Sequence, residues 1–314
     1  QHSKLTRSLL YRYHGEISSY FEMKSLRVFN LRGVSILDQL HFEELLLRST
    51  SDNCVIVNHG IPKRSIVLGF SGKPKELLNL EKVKSDNVEV IRRFTGGGTV
   101  IVDKDTLFVS FIMNTEEAGC NAYPREIMEW SADRIYSPLF SRLLAPQSPL
   151  EPSSSQEAFR LREHDYVIGN KKIGGNAQTI TKGRWVHHTS FLWKFNPDSM
   201  QYLTLPAKRP DYRGDRPHGD FLTQLHDAVA PQYRSSVQHF TRALQQQLAE
   251  TVCEHIAIEG EASHDYLISN EKFQAIHEAA KSRATAASAV AQKKTSDFIP
   301  RTFIVDHNDP IMQL

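Results

Sequence analysis

The stretch "EVIRRFTGGGTVIVDKDTLFVSF", residues 89–111, constrains this chain most, because three consecutive glycines interrupt a run that otherwise alternates like a strand. Glycine admits positive φ, so the interruption reads as a bend between strands. Comparable strand-like runs lie on either side: "LRVFNL" from Leu26, then "CVIVNHG" and "RSIVLGFS" around His59-Gly60-Ile61-Pro62. Further on, "HDYVIGNKKIGGNAQTITKGRWVHHTSFLWKF" reads as three strands with a two-glycine hinge at Gly174-Gly175, and "GTVIVDKDTLFVSFIMN" as a hairpin turning at Asp103-Lys104-Asp105. Helical spacing appears in "SILDQLHFEELLLRST", which Ser35 can cap, in the polar "PKELLNLEKVKSDN", in "REIMEWSADRIYSPLFSRLLA" and in "SSVQHFTRALQQQLAETVCEH", which a strand "IAIEGE" follows. Strands without strict βαβ alternation predict an α+β domain on a mixed, mainly antiparallel β-sheet flanked by helices.

The chain divides into a leader over 1–25, one large domain over 26–262, and a tail over 263–314 that is expected to be helical or partly disordered. "PQSPLEPSSSQEAF" is a Pro/Ser-rich loop within the domain. A formal net charge of +2 and the lack of a basic patch argue against a dedicated nucleic-acid binder. No run approaches the ~20 apolar residues of a spanning helix, so a soluble protein is expected. Cys54, Cys120 and Cys253 are far apart, odd in number and without a CxxC, which fits a reducing compartment and argues against a disulfide framework or structural zinc.

Three stretches carry chemistry. In the first, Gly96-Gly97-Gly98 can turn a hairpin or present backbone N–H groups to a phosphate or carboxylate. Arg92 and Arg93 occupy adjacent strand positions and so point to opposite faces, which lets one enter a pocket while the other is solvated. No GK[ST] follows, so this is not a P-loop, and no helix opens after the glycines, so it is not a dinucleotide fingerprint. In the second, "GNKKIGGNAQ", Lys171 and Lys172 also diverge; one lysine beside the glycines can reach a carbonyl or an α-phosphate oxygen, or simply be solvated. Asn176 and Gln178 are polar groups next to it. In the third, "HHTSF", His187 and His188 are read as packed or hydrogen-bonded rather than metal-bound, because no third ligand lies at metal spacing.

"RRFTGGGTVIVD" followed by "HDYVIGNKKIGGNAQ" and "TKGRWVHHTSFLW" closely resembles the catalytic domain of the lipoate-protein ligase A family, part of the biotin/lipoate ligase superfamily. "PDYRGDRPHGDF" and the Trp185–Trp193 run look most like plant-type eukaryotic members that consist of the catalytic domain alone. The resemblance implies a fold like that of biotin ligases and class II aminoacyl-tRNA synthetases, with ATP and Mg²⁺ used to activate lipoate as lipoyl-AMP. The lipoyl group then passes to a lysine of apo lipoyl carrier domains, the E2 subunits of 2-oxoacid dehydrogenases and the glycine cleavage H protein. It further implies ATP contacts from Arg93, Gly98, Thr99, Val100, Ile101, Asp165 and Lys172. Lipoate contacts fall to Arg92, Gly96, Gly97, Lys172, Gly174, Gly175, Asn176, Ala177 and His188. By the same resemblance Lys172 would be the catalytic residue, and Asp165 would lie near the phosphates and help to hold Mg²⁺.

Two positions depart from the family motifs: Val102 stands where a His is usual, and His164 where an Asn is usual. The tail does not resemble the accessory domain of bacterial ligases, so an accessory subunit, or an already activated or protein-bound lipoyl donor, is an alternative. An octanoyl transferase or lipoyl amidotransferase would need a cysteine nucleophile, but its two usual positions hold Trp185 and Ala158-Phe159. A biotin ligase would show a GRGRxxRxW-type signature, which is absent. A degenerate member kept as a binding module is disfavoured by the intact Lys172 and triple glycine. The resemblance and the Lys-, Arg- and Ser-containing leader together imply a mitochondrial address, with plastid or cytoplasm as alternatives.

Overall fold

The computed structural model describes residues 23–144, 158–205, 209–262 and 301–307, with a few isolated positions beyond them. Residues 1–22 and the Pro/Ser loop over 145–157 lie outside the described residues. Thirteen strands are described: β1 (Met23–Arg32), β2 (Cys54–His59), β3 (Ser65–Leu68), β4 (Glu89–Arg92), β5 (Gly96–Gly97), β6 (Val100–Val102), β7 (Thr106–Asn114), β8 (Phe159–Arg162), β9 (Asp165–Ile168), β10 (Lys171–Thr181), β11 (Arg184–Leu192), β12 (Cys253–Ala262) and β13 (Phe303–Ile304). They form a nine-stranded sheet in the order β12-β1-β2-β7-β11-β10-β9-β8, with β5 added on β10, and a four-stranded sheet in the order β13-β4-β3-β6. Only β1 with β2, β1 with β12 and β3 with β4 pair in parallel, so the sheet is mixed and mainly antiparallel, as the sequence predicts.

Strand β7 shows how the layers arise. Its side chains alternate: Phe108 and Ile112 join one core, whereas Val109, Phe111 and Met113 join another. The first core is shared with the four-stranded sheet through Val67, Ile91 and Val102. The second is covered by the helices Pro124–Ser131, Ser137–Leu143 and Val237–Thr251, the first two joined by a single π-turn, Ala132–Tyr136, where one continuous helix is expected from sequence. The helix Ile36–Ser49 packs in the first core, with Ser35 accepting from the Asp38 N–H as its cap. Every residue from Ile36 to Leu47 is buried, polar ones included.

The expected hairpin does not form. β6 pairs with β3 in the small sheet, while β7 lies between β2 and β11 in the large one; the turn at Asp103–Asp105 therefore carries the chain from sheet to sheet. β2 and β3 are divided in the same way. The reason is burial: β7 is apolar on both faces and needs well-covered neighbours on each side. β1 begins at Met23, inside the stretch 1–25 read from sequence as a leader, and Gly174-Gly175 lies within the continuous strand β10 rather than at a hinge. The tail returns as β13, antiparallel to β4, and buries Val305.

His187 on β11 is fully buried, as expected of a packed histidine. The Gln178 amide contacts its Nδ1 at 3.0 Å, and its Nε2 lies 3.0 Å from the Tyr166 hydroxyl, which in turn meets Ser131 Oγ at 2.6 Å. Burial, with the neighbouring His188, pushes its pKa down to about 3. The unfolded chain then binds a proton below the ordinary histidine pKa of 6.5 that the native state refuses, so stability present above pH 6.5 is lost progressively toward pH 3. Between pH 7 and pH 5 this one group should remove about 2 kcal/mol. Denaturant titrations of the parent and of His187→Gln at both pH values should show a shallower acid loss in the variant.

Candidate functional site

The triple glycine is neither a hairpin turn nor a slack loop. Gly96 and Gly97 pair with Gln178 and Ala177 of β10, so this short strand fastens the end of β4 to the large sheet. Gly97 has φ +123, and a Cβ there would lie 2.9 Å from both Arg93 Nη2 and the Asn176 carbonyl oxygen. Gly69 meets Gly97 still more closely: its Cβ would sit 2.1 Å from the Gly97 carbonyl oxygen. Only bare backbone fits at either position.

Arg93 explains why the chain crosses so tightly here. The guanidinium is buried, donates from Nη2 to the Gly98 carbonyl at 2.7 Å and from Nη1 to the Val67 carbonyl at 3.2 Å. Burial lowers its pKa to about 10, and the negative charge of Glu43 opposes that fall. Arg92 diverges as expected, but its Nη1 donates to the carbonyls of Phe70 (2.9 Å) and Gly72 (2.7 Å) and it stays outside the cavity.

The cavity itself measures about 710 Å³. Its walls include Arg93, Gly97, Gly98, Thr99, Val100 and Ile101 from the first motif, and Asp165, Lys172, Gly174, Gly175, Asn176 and Ala177 from the second, with His188 from β11. Thus all the site residues expected from sequence gather on one cavity except Arg92 and Gly96. Lys172 ends in it, its Nζ 2.6 Å from Asp165 Oδ1, while Lys171 is exposed on the other face. Tyr212 donates its hydroxyl to Asp165 Oδ2 at 2.9 Å, and this burial beside a carboxylate raises the phenol's pKa. Both oxygens of Asp165 are therefore engaged by side chains, and the carboxylate lies in the cavity where the resemblance implies that it helps to hold Mg²⁺. Among the described residues, no three His, Cys, Asp or Glu side chains gather as a metal site.

His188 is held from behind. A carboxylate only accepts, so His188 Nδ1 donates to Glu43 Oε2 at 2.9 Å, which turns Nε2 toward Thr95 Oγ1 at 3.4 Å. Glu43 also accepts from Ser110 Oγ at 2.6 Å and from Gln39 Nε2 at 2.8 Å. The departures from the motif sort themselves in space: Val102 packs in the core away from the cavity, while His164 lines it and its carbonyl accepts from Asn176 Nδ2 at 3.1 Å. None of the three cysteines lines the cavity, and burial raises Cys54 to about 12 and Cys120 and Cys253 to about 11. A thiolate nucleophile has no support here. Reading the sequence alone missed Glu43, which hides inside an apolar helical run, and Arg209, Arg213 and His218, which line the cavity from the segment after the large sheet. The repeated arginines of "RPDYRGDRPH" were the available signal.

The family model for the lipoyl protein ligase A/B catalytic domain matches residues 35–249. Over 210 residues the chain is 32% identical to inactive lipoate–protein ligase 2 of Plasmodium falciparum, covering 59% of this chain and 54% of that protein. The chain thus spans about half the length of this curated relative. Among solved structures, a bi-partite lipoate protein ligase of Thermoplasma acidophilum, studied with its E2 lipoyl domain, has a TM-score of 0.57 at 20% identity over 80% of this chain and 96% of that one. A lipoate-protein ligase A bound with ATP has a TM-score of 0.57 at 20% identity over 81% of this chain and 96% of that one. At that identity, both show the same fold.

Gly97 and Gly98 should separate by substitution. Gly97→Ala should cost about 1–3 kcal/mol through its positive φ and the contacts with Arg93 and Asn176. Gly98→Ala, where a Cβ meets nothing within 4 Å, should stay within about 0.5 kcal/mol of the parent. Urea midpoints of the two variants check this ordering.

Proposed function

The chain belongs to the lipoyl protein ligase A/B catalytic-domain family, and we propose that it activates lipoate with ATP as lipoyl-AMP and passes the lipoyl group to a lysine of a lipoyl carrier domain. The observation that carries this reading is Lys172 Nζ, fixed by Asp165 at 2.6 Å inside a cavity walled by the two glycine segments. An acyl carboxylate and a nucleotide phosphate can meet at that ammonium, with the backbone from Gly98 to Ile101 along the nucleotide. Two buried polar atoms of this wall, Arg93 Nε and Thr99 Oγ1, have no hydrogen-bond partner among the described residues, which suits a polar ligand.

In the first step a lipoate oxygen bonds to the α-phosphorus of ATP as the bond to the β-phosphate oxygen breaks, and pyrophosphate leaves with the electron pair. In the second, the carrier amine adds to the acyl carbonyl, loses its proton and expels AMP. Lys172 would hold the acyl oxygen and the α-phosphate together and offset the charge that grows on them. Magnesium would enter on the phosphates of ATP, where Asp165, which keeps a free lone pair on each oxygen, could help to hold it.

A second reading, transfer from an already activated donor or adenylation only with an accessory subunit, is favoured by a relative named as inactive and by Val102 buried where the family motif has His. Incubating the protein with ATP, lipoate and an apo lipoyl domain separates the two. Mass gain on the carrier with AMP release supports the ligase; gain from supplied lipoyl-AMP alone supports the transferase. Lys172→Ala should slow carrier modification from either donor on the order of a hundredfold or more. Modification at near the parent rate would remove Lys172 from the mechanism.

A further inference from the structure

Apart from Tyr212, which holds Asp165, the wall formed by residues 209–221 has no part in the roles given above, yet it carries positive charge that no ion pair among the described residues offsets. Arg209 pairs with Asp215, and Lys172 with Asp165. Arg213 and Arg216 make no ion pair among the described residues. Arg216 donates to the backbone carbonyls of Arg213 (3.0 Å), Asn170 (3.0 Å) and Tyr212 (2.6 Å). Arg213 is different, because it lines the cavity while only 5% exposed. Its Nε donates to the Arg216 carbonyl at 3.2 Å, and its guanidinium lies 4.6 Å from the centroid of the Phe221 ring, but its Nη2 has no partner. A buried guanidinium with an unpaired donor, beside two more arginines, is unfavourable unless an anion joins it.

The surroundings hold this arginine in place. Glu163 accepts the N–H groups of Asp211 and Tyr212 at 3.1 Å each, and the Tyr212 hydroxyl binds Asp165, the partner of Lys172. Burial, then Arg213 and Lys172, push His218 down to about 4, so at neutral pH the positive charge of this wall is guanidinium and not imidazolium.

We infer that Arg213 binds the terminal phosphates of the nucleoside triphosphate, the part that leaves as pyrophosphate, and so serves adenylation more than transfer. The assignment rests on the adenylate reading. Charge decides the placement: Asp165 is in direct contact with Lys172 and reaches Arg213 only as a more distant charge, so the multiply charged end of the triphosphate is drawn to Arg213. When the carboxylate oxygen bonds to the α-phosphorus and the bond to the β-phosphate breaks, the leaving electron pair stays on pyrophosphate beside this guanidinium. The adenylate that remains carries a single phosphate charge and makes less use of it.

Calorimetry with inorganic pyrophosphate tests the site on the full chain, using the parent, Arg213→Gln, Arg213→Lys and, as a remote control, Arg142→Gln, which loses an exposed ion pair with Glu250 and a 3.5 Å contact with the Pro138 carbonyl. The expected result is affinity reduced on the order of tenfold or more in Arg213→Gln, less in Arg213→Lys, and unchanged in the control. Alongside, kcat/KM for ATP should fall further in Arg213→Gln than the rate from supplied lipoyl-AMP, with an unfolding midpoint near that of the parent. Unchanged pyrophosphate affinity in either Arg213 variant that melts like the parent overturns the inference, as does a parent that binds no pyrophosphate. If pyrophosphate binding depends on Arg213 but the parent makes no adenylate from ATP, the anion site stands and the adenylate reading falls.

Discussion

The buried carboxylate of Glu43 is the interaction on which the rest of the architecture depends. It sits on the helix Ile36–Ser49, accepts from Ser110 on β7 and from His188 on β11, and its charge supports Arg93 beside the small sheet. One carboxylate therefore ties the helix to two strands of the large sheet and balances a buried cation of the other. A buried charge is costly unless its lone pairs are filled, and here Gln39, Ser110 and His188 fill them. Removing any of these partners would leave a buried polar group unpaired, a larger loss than that of the single hydrogen bond.

From that anchor the geometry of the cavity follows. Arg93, held by burial and by Glu43, donates to the carbonyls of Val67 and Gly98, which ties β3 to the far end of the glycine stretch. Gly97 then has to cross within contact distance of Gly69 and Asn176, and only a residue without Cβ can do so. The bare backbone thus answers to the packing of a buried arginine first. The bare wall of the cavity, along which the nucleotide is proposed to lie, is a consequence of the same crossing.

Much of this was legible in the sequence because it rests on local chemistry. Alternation identified most strands, Ser35 identified the start of its helix, and adjacent strand positions predicted that Arg92 and Arg93, and Lys171 and Lys172, would diverge. What was not legible depends on long-range pairing. Whether β6 folds back on β7 or crosses to β3 is decided by which neighbours bury both faces of β7, a property of the assembled sheets. The same holds for β13, whose short pairing with β4 has no periodic signal and is held by Thr302 Oγ1 accepting the Phe94 N–H and by Glu44 accepting the Arg301 N–H. Glu43 was hidden for the opposite reason: in a helix buried on all sides, polar residues need not lie on one face.

The distribution of charge in the cavity also bears on why the proposed reaction calls for no enzyme nucleophile. Two of the thiols are buried and Cys120 is half-buried, burial holds all three well above neutrality, and His187 is locked in a neutral hydrogen-bonded chain, so these groups offer neither a thiolate nor a mobile proton. What the cavity does offer is positioned cations and bare backbone, with Lys172 fixed by Asp165 and Asp165 fixed in turn by Tyr212. Such groups act on negative charge already carried by the reactants, and they gain most where charge is gathered and then redistributed, as in passing from a triphosphate to an acyl phosphate. A cavity of this kind selects its chemistry by the placement of cations, which links the tight packing around Arg93 directly to the reaction class proposed for it.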